Sequence, residues 1–237
     1  GGRLGISAVP GSGKTHTLSA LAAELITRGG LTDDQEILIV TLVNSAVDNF
    51  TNRIGNFIQQ YGLIPHLGYR VRTLHGLAHD IVREKPARVG LEEQFQIVDD
   101  QEAVRIRADA VRAWLAANPG KMDRYIDDTL ETGRHDWIVR EKLPELLESL
   151  ALAFIRSAKD HRLTPAALAD ALHRQPAPLP LAEMGISIYT DYQRALQYRA
   201  AVDFDDLIRL SLELLLADAE YLERLRHRFP YILEDEA

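Results

Sequence analysis

Apolar positions along the first 85 residues switch between short continuous runs and stripes at helical spacing. Leu4 to Val9 reads as a short buried strand. Leu18, Leu21, Ala22, Leu25 and Ile26 then recur as one helical stripe between Thr17 and Arg28. The order repeats. Glu36 to Leu42 is an apolar strand, and Asn44 to Tyr61 a helix carrying Val47, Phe50, Ile54, Phe57 and Ile58, with Asn44 or Ser45 as its expected cap. Tyr69 to Thr73 is a third strand leading into a helix from Leu77 to Arg83. Strands alternating with helices at this spacing predict βαβ units and a parallel sheet.

From about Pro86 the pattern changes. Beyond a short strand candidate at Gln94 to Val98, the next hundred residues read as helices: Gln101 to Ala117, Asp136 to Lys159, Pro165 to His173 and Leu181 to Val202. The connector Gln175-Pro176-Ala177-Pro178-Leu179-Pro180 cannot continue a helix. Asp203-Phe204-Asp205-Asp206 opens a further helix, Leu207 to Leu216, and Tyr231 to Glu234 reads as one more strand. A parallel sheet interrupted by helices and ending on a strand with no crossover after it suggests a chain cut from a longer one. An unusual but complete small protein is the alternative.

Composition narrows the chemistry. The chain has no cysteine, which excludes disulfides, thiolate metal sites and cysteine nucleophiles. A net charge of −8 gives no overall field for coating nucleic acid, so any such role must come from a local groove. No apolar run is long enough to span a bilayer, and the opening residues do not read as a signal peptide. The expectation is a cytoplasmic protein, nucleoid-associated if prokaryotic, with no membrane partner.

Ala8-Val9-Pro10-Gly11-Ser12-Gly13-Lys14-Thr15 matches the phosphate-binding loop G-x-x-x-x-G-K-[ST], with Ala8 for the first glycine. Small residues let successive backbone N–H groups cradle phosphate oxygens, and a helix N-terminus adds its partial positive charge. Lys14 places a point charge on the β/γ-phosphates, and the Thr15 hydroxyl suits Mg²⁺. The implied ligand is ATP with Mg²⁺. Such a loop needs an acid at the carboxyl end of a neighbouring strand to complete the metal shell, and a second acid to deprotonate the attacking water. Asp235 and Glu236 follow the strand Tyr231-Ile232-Leu233 and fit those two roles. With the register shifted by one, Glu234 and Asp235 take them instead. An acidic terminal scrap is the plain reading.

Five motifs in order resemble the UvrD/Rep-like superfamily 1 DNA helicases over nearly the full length. The family's A-x-x-G-[ST]-G-K-T is matched by Ala8 to Thr15. Its T-F-T-N-[KR]-A-A is answered by Thr41-Leu42-Val43-Asn44-Ser45-Ala46, and its T-F-H-[SG] by Thr73-Leu74-His75-Gly76. Its D-[FY]-[DE]-D-[LM] is answered by Asp203-Phe204-Asp205-Asp206-Leu207, and D-E-[AFY]-Q-D by the residues ending in Asp235-Glu236-Ala237. Leu42 and Leu74 stand where the family carries aromatics, and Ser45 where it carries a base, so neither a π-face nor that charge is supplied there.

The resemblance implies a RecA-like P-loop NTPase sheet domain, α/β in class, from residues 1–88 and 203–237, with a helical insertion subdomain at 89–202. It implies ATP-driven translocation on single-stranded DNA and unwinding at single-strand/duplex junctions, in DNA repair or replication restart. Lys14 and Glu236 would act in catalysis, Ala8 to Thr15 would bind ATP, and Thr15 and Asp235 would hold Mg²⁺. Thr41, Asn44, Thr73 and His75 would line the DNA side. The adenine-contacting glutamine motif, the second motor domain of the same parent chain and its arginine finger would lie outside these 237 residues. Rival readings are a helicase subunit of a RecB/AddA-type helicase–nuclease and a non-catalytic ATP- or DNA-binding module.

Three features carry plainer readings. His75 and His79 have a zinc-compatible spacing but no third ligand in the pattern, so a hydrogen-bonded histidine competes with a DNA contact. Asp203, Asp205 and Asp206 suit a helix cap and first turn better than a metal cluster. Arg105, Arg107 and Arg112 read as a solvated helix face.

Overall fold

The structure, a computed structural model, describes residues 2–5, 9, 11–127 and 129–235. It is a mixed α/β protein with a small parallel sheet and many helices, divided into two compact units: Gly1–Glu84 with Ser211–Ala237, and Lys85–Leu210.

In the first unit, α1 (Lys14–Thr27) precedes β1 (Ile37–Thr41), α2 (Asn44–Gln60), β2 (Tyr69–Thr73) and α3 (Leu74–Glu84). The expected strand from Leu4 to Val9 is not part of the described sheet. Leu4, Gly5 and Val9 belong to no strand, and residues 6–8 lie outside the described residues. Helix α2 also departs from expectation. Its N-cap is Val43 in an extended conformation, with no side-chain cap, so neither Asn44 nor Ser45 performs that role. Helix α3 starts three residues earlier than its apolar stripe suggests, because the Thr73 hydroxyl accepts the Gly76 N–H at 3.1 Å and starts the helix there.

The second unit carries β3 (Gln96–Ile97), α4 (Asp100–Ala117), α5 (Thr132–Trp137), α6 (Leu143–Asp160), α7 (Pro165–His173), α8 (Pro180–Tyr198) and β4 (Ala201–Val202). Helices α4, α6 and α8 enclose two apolar clusters. One is built on Val111, Trp114, Leu147 and Ile188, the other on Ile106, Ile155, Tyr189 and Leu196. The single helix expected from Asp136 to Lys159 contains a π-helical stretch at Ile138–Lys142. Pro144 follows it, lacks an N–H and crowds the preceding turn, which the wider winding accommodates. The helix expected to reach Val202 stops at Tyr198. Ala200 takes a φ of 47°, and Ala201–Val202 pairs in parallel with Gln96–Ile97.

Helix α9 (Phe204–Ala217) is followed by α10 (Ala219–Arg228) and β5 (Tyr231–Glu234). The sheet order is β2-β1-β5, all parallel. Ile37, Ile39, Tyr69 and Val71 face a cluster completed by Ala22 and Ala23 of α1 and by Phe50, Ile54 and Ile58 of α2, with Leu18 and Leu233 packed against it. Alternation sends Leu38 to the opposite face, toward α3. There the Tyr221 hydroxyl of α10 donates to Glu84 at 2.9 Å. At the amino edge Glu36 binds Arg70 and Arg228, each at 3.1 Å, which ties the starts of β1 and β2 to the end of α10, the helix that leads into β5.

Candidate nucleotide site and nucleic-acid edge

The phosphate-loop candidate is described from Gly11 onward and at Val9; Ala8 and Pro10 lie outside the described residues. The Ser12 N–H donates to the Val9 carbonyl at 3.2 Å and closes a turn. Gly11 and Gly13 have φ of 79° and 89°, and among the described residues a Cβ on either would meet open space. Glycine suits both places because their backbone lies in the left-handed region. Gly13 then caps α1, with no side-chain cap and no acid in the first turn. That leaves a helix N-terminus suited to an anion, with Lys14 and Thr15 in its first turn. The Thr15 carbonyl accepts from the buried Ser19 hydroxyl at 2.7 Å, which fixes the turn from below.

The parallel register sets what stands at the other side of such a site. Thr41 pairs with Thr73, and Val40 with Glu234. The Asp235 N–H donates to the Val40 carbonyl at 3.0 Å, so Asp235 takes the next place, beside Thr41. Thr73, Thr41 and Asp235 therefore form a row across the carboxyl edge. Because Leu233 packs on the α1/α2 core, alternation puts Asp235 on that same face and Glu234 on the other. Glu236 lies outside the described residues.

The four candidates for the DNA side separate. Asn44 and His75 are exposed just beyond the ends of β1 and β2. Thr73 uses its hydroxyl to cap α3. Thr41, which the resemblance puts on the DNA side, is only 1% exposed, and its Oγ1 has no hydrogen-bond partner among the described residues. Its position as an inward-facing residue of the central strand accounts for this. Around the same edge Leu42, Val43 and Leu74 are 55%, 50% and 41% exposed. That places an aliphatic patch where the resemblance leads one to expect aromatic rings.

The acidic motif before α9 forms a cap and also something the sequence did not disclose. Asp203 Oδ1 accepts the Asp206 N–H at 2.8 Å, as an N-cap should. The two carboxylates also clasp Lys159 of α6, whose side chain is 1% exposed. Its Nζ lies 2.5 Å from Asp203 and 3.0 Å from Asp206. Tyr192 donates to Asp203 at 2.6 Å, Gln193 to Asp206 at 3.0 Å, and Arg209 reaches Asp206 at 3.2 Å. Burial pushes the Asp203 carboxyl up. The charge and hydrogen bond of Lys159, with those from Tyr192 and the Asp206 N–H, outweigh it and hold the group below its ordinary value. Burial, then the Asp203 charge, pushes the Tyr192 phenol up and keeps it a donor. Arg107 is half-buried, with its Nε lacking a partner among the described residues, so it departs from the solvated face expected of it. Arg112 pairs at the surface with Asp109 at 2.5 Å.

The model of the family described as UvrD/REP helicase N-terminal domain matches residues 1–237. A probable DNA helicase II homolog of Rickettsia conorii is 27% identical over 99% of this chain and 31% of its own length. The ATP-dependent DNA helicase PcrA of Leuconostoc citreum is 30% identical over 99% of this chain and 27% of its own length. DNA helicase II of Escherichia coli is 28% identical, covering 95% of this chain and 26% of that protein. The chain thus spans about a quarter to a third of the length of the curated relatives it matches. Among the described residues, no helix is long and apolar enough to cross a membrane.

The Lys159 cluster yields a pH-dependent expectation. Asp203 has a depressed pKa, so its contribution to stability is present above the ordinary carboxylate value and is lost as pH falls through the depressed one. Lys159→Met leaves buried carboxylates without their main cation and should cost about 3–5 kcal/mol at pH 7. The deficit should shrink as pH is lowered toward 4, because protonation then discharges the abandoned Asp203 carboxylate. Denaturant titrations of both proteins from pH 4 to 8 check this, and a deficit independent of pH would contradict it.

Proposed function

Because the chain belongs to the UvrD/REP helicase N-terminal domain family, we propose that it is the ATP-binding motor part of a DNA helicase. In this reading the sheet and its helices form a RecA-like core from residues 1–88 and 203–237, and residues 89–202 form a helical insertion. ATP hydrolysis drives movement along single-stranded DNA and unwinding at junctions with duplex, in repair or replication restart. A second motor domain of the same parent chain completes the site with an arginine.

One observation supports this reading above the others. Helix α1 begins uncapped by any side chain, behind two glycines in the left-handed region, and packs on the sheet whose carboxyl edge carries Asp235. An anion cradle and a carboxylate flanking one face of a parallel sheet suit a metal-bound polyphosphate. The donor set fits magnesium, a hard cation that takes oxygen ligands: one hydroxyl from Thr15 and one carboxylate from Asp235. When bound, the ion neutralises charge on the phosphates and orients them for in-line attack.

The chain's own groups divide the rest of the work. Backbone N–H groups of Gly11 to Thr15 hold the phosphate oxygens, and Lys14 adds its charge at the β/γ end. Glu236 accepts a proton from the attacking water. Asn44 and His75, exposed beyond adjacent strands, meet the DNA backbone, and the patch of Leu42, Val43 and Leu74 lies against sugars and bases without stacking.

Two measurements test the reading. In calorimetric titration with MgATP, Lys14→Ala should weaken binding roughly 10- to 100-fold, the value of a charge-assisted phosphate contact. Equal affinity for the two proteins would contradict a phosphate-loop role. On the DNA side, Leu42→Phe supplies the missing π-face. It should tighten binding of an oligothymidylate by up to roughly tenfold, since a stacked base is worth about 1–3 kcal/mol. No change, or weaker binding, would move the DNA path away from this edge.

A further inference from the structure

Thr41 Oγ1 is a polar atom that no group among the described residues answers. The residue is almost wholly buried, and no described group donates to or accepts from its hydroxyl. Native proteins pair nearly all such atoms, because desolvating one without a partner destabilises the folded state. Its neighbours have settled differently: Thr73, level with it on β2, spends its hydroxyl on the first turn of α3. Thr41 has no such outlet, since α2 begins at Asn44 with Val43 as its cap.

The position of this hydroxyl points to what completes it. Thr41 is the last residue of the central strand, at the carboxyl edge where open α/β sheets bind ligands. It shares a face with Ile37 and Ile39, the face covered by α1 and α2. Asp235 occupies the adjoining place, one residue past β5, and the same face. Neighbouring strands lie about 4.8 Å apart, a separation that a single water can bridge.

We propose that Thr41 Oγ1 accepts a hydrogen bond from a water of the magnesium shell that Asp235 anchors. This makes Thr41 a positioning residue of the nucleotide site instead of a DNA contact. Magnesium gives up its waters reluctantly and keeps several of them when bound by few carboxylates. A fixed hydroxyl beside Asp235 orients one of those waters and so sets the direction of the shell. The inference rests on the nucleotide reading above and adds to it a role for the central strand.

Equilibrium binding of adenylyl imidodiphosphate to the 237-residue chain, with magnesium or with EDTA, tests it without any turnover. Thr41→Val keeps the shape and removes the acceptor, so the free variant should melt no lower than wild type. Its affinity should fall roughly 3- to 10-fold in magnesium and stay level with wild type in EDTA, and Thr41→Ser should restore it. Unchanged affinity in magnesium would overturn the proposal while leaving the nucleotide reading intact. An equal loss in both conditions would also overturn it, by showing a structural effect. If wild type and Lys14→Ala alike fail to bind, the nucleotide reading falls and the proposal with it.

Discussion

Strand β1 is hydrogen-bonded on both sides, to β2 and to β5 in one parallel register, and this double pairing decides where each candidate residue falls. At the amino edge Glu36 ties β1 and β2 to the end of α10, just before β5, through Arg70 and Arg228. With that end fixed, the carboxyl edge presents Thr73, Thr41 and Asp235 as a row. A slip of one residue on β5 would exchange Asp235 for Glu234 on the face that α1 covers. The buried apolar faces oppose such a slip, because Leu233 would have to leave the core that it shares with Ile37, Ile39 and Phe50.

A second constraint operates in the helical unit. Lys159, Asp203 and Asp206 form a buried charge cluster in which Tyr192, Gln193 and Arg209 satisfy the remaining acceptors. Buried ion pairs contribute little net stability when complete, yet removing one member is expensive. The cluster therefore specifies one arrangement of α6, α8 and the start of α9 more than it strengthens the fold. It also gives the acidic signature before α9 a physical purpose, in which one carboxylate caps the helix while both clasp a cation.

Some of this was legible in the sequence because the signals are local. The glycines at 11 and 13 and the apolar stripe behind Lys14 announce a loop and a helix, and the runs ending at Leu42, Thr73 and Glu234 announce strands, the first of which stops one residue earlier, at Thr41. Other features have no local signature. Lys159 stands in the last turn of its helix, where a lysine ordinarily complements the helix dipole in solvent, and its two partners lie more than forty residues away. Helix α10 was not anticipated because Ala219 to Arg228 is mostly charged, with only Tyr221, Leu222 and Leu225 to mark an apolar side. Its clearest sign was Asp218, which accepts the Tyr221 N–H at 2.9 Å as an N-cap. The burial of Thr41 follows from pairing on both sides of its strand, and a sequence pattern does not say which strand is central.

The central claim is that the start of α1 and the carboxyl edge of the sheet serve one nucleotide. Hydrogen exchange of the chain with and without magnesium and adenylyl imidodiphosphate tests it most directly. The account predicts that residues 9–18 and residues 229–235 slow together on binding, while residues 100–200 exchange as before. Protection confined to residues 100–200, or protection of the loop with no change at β5, would contradict it.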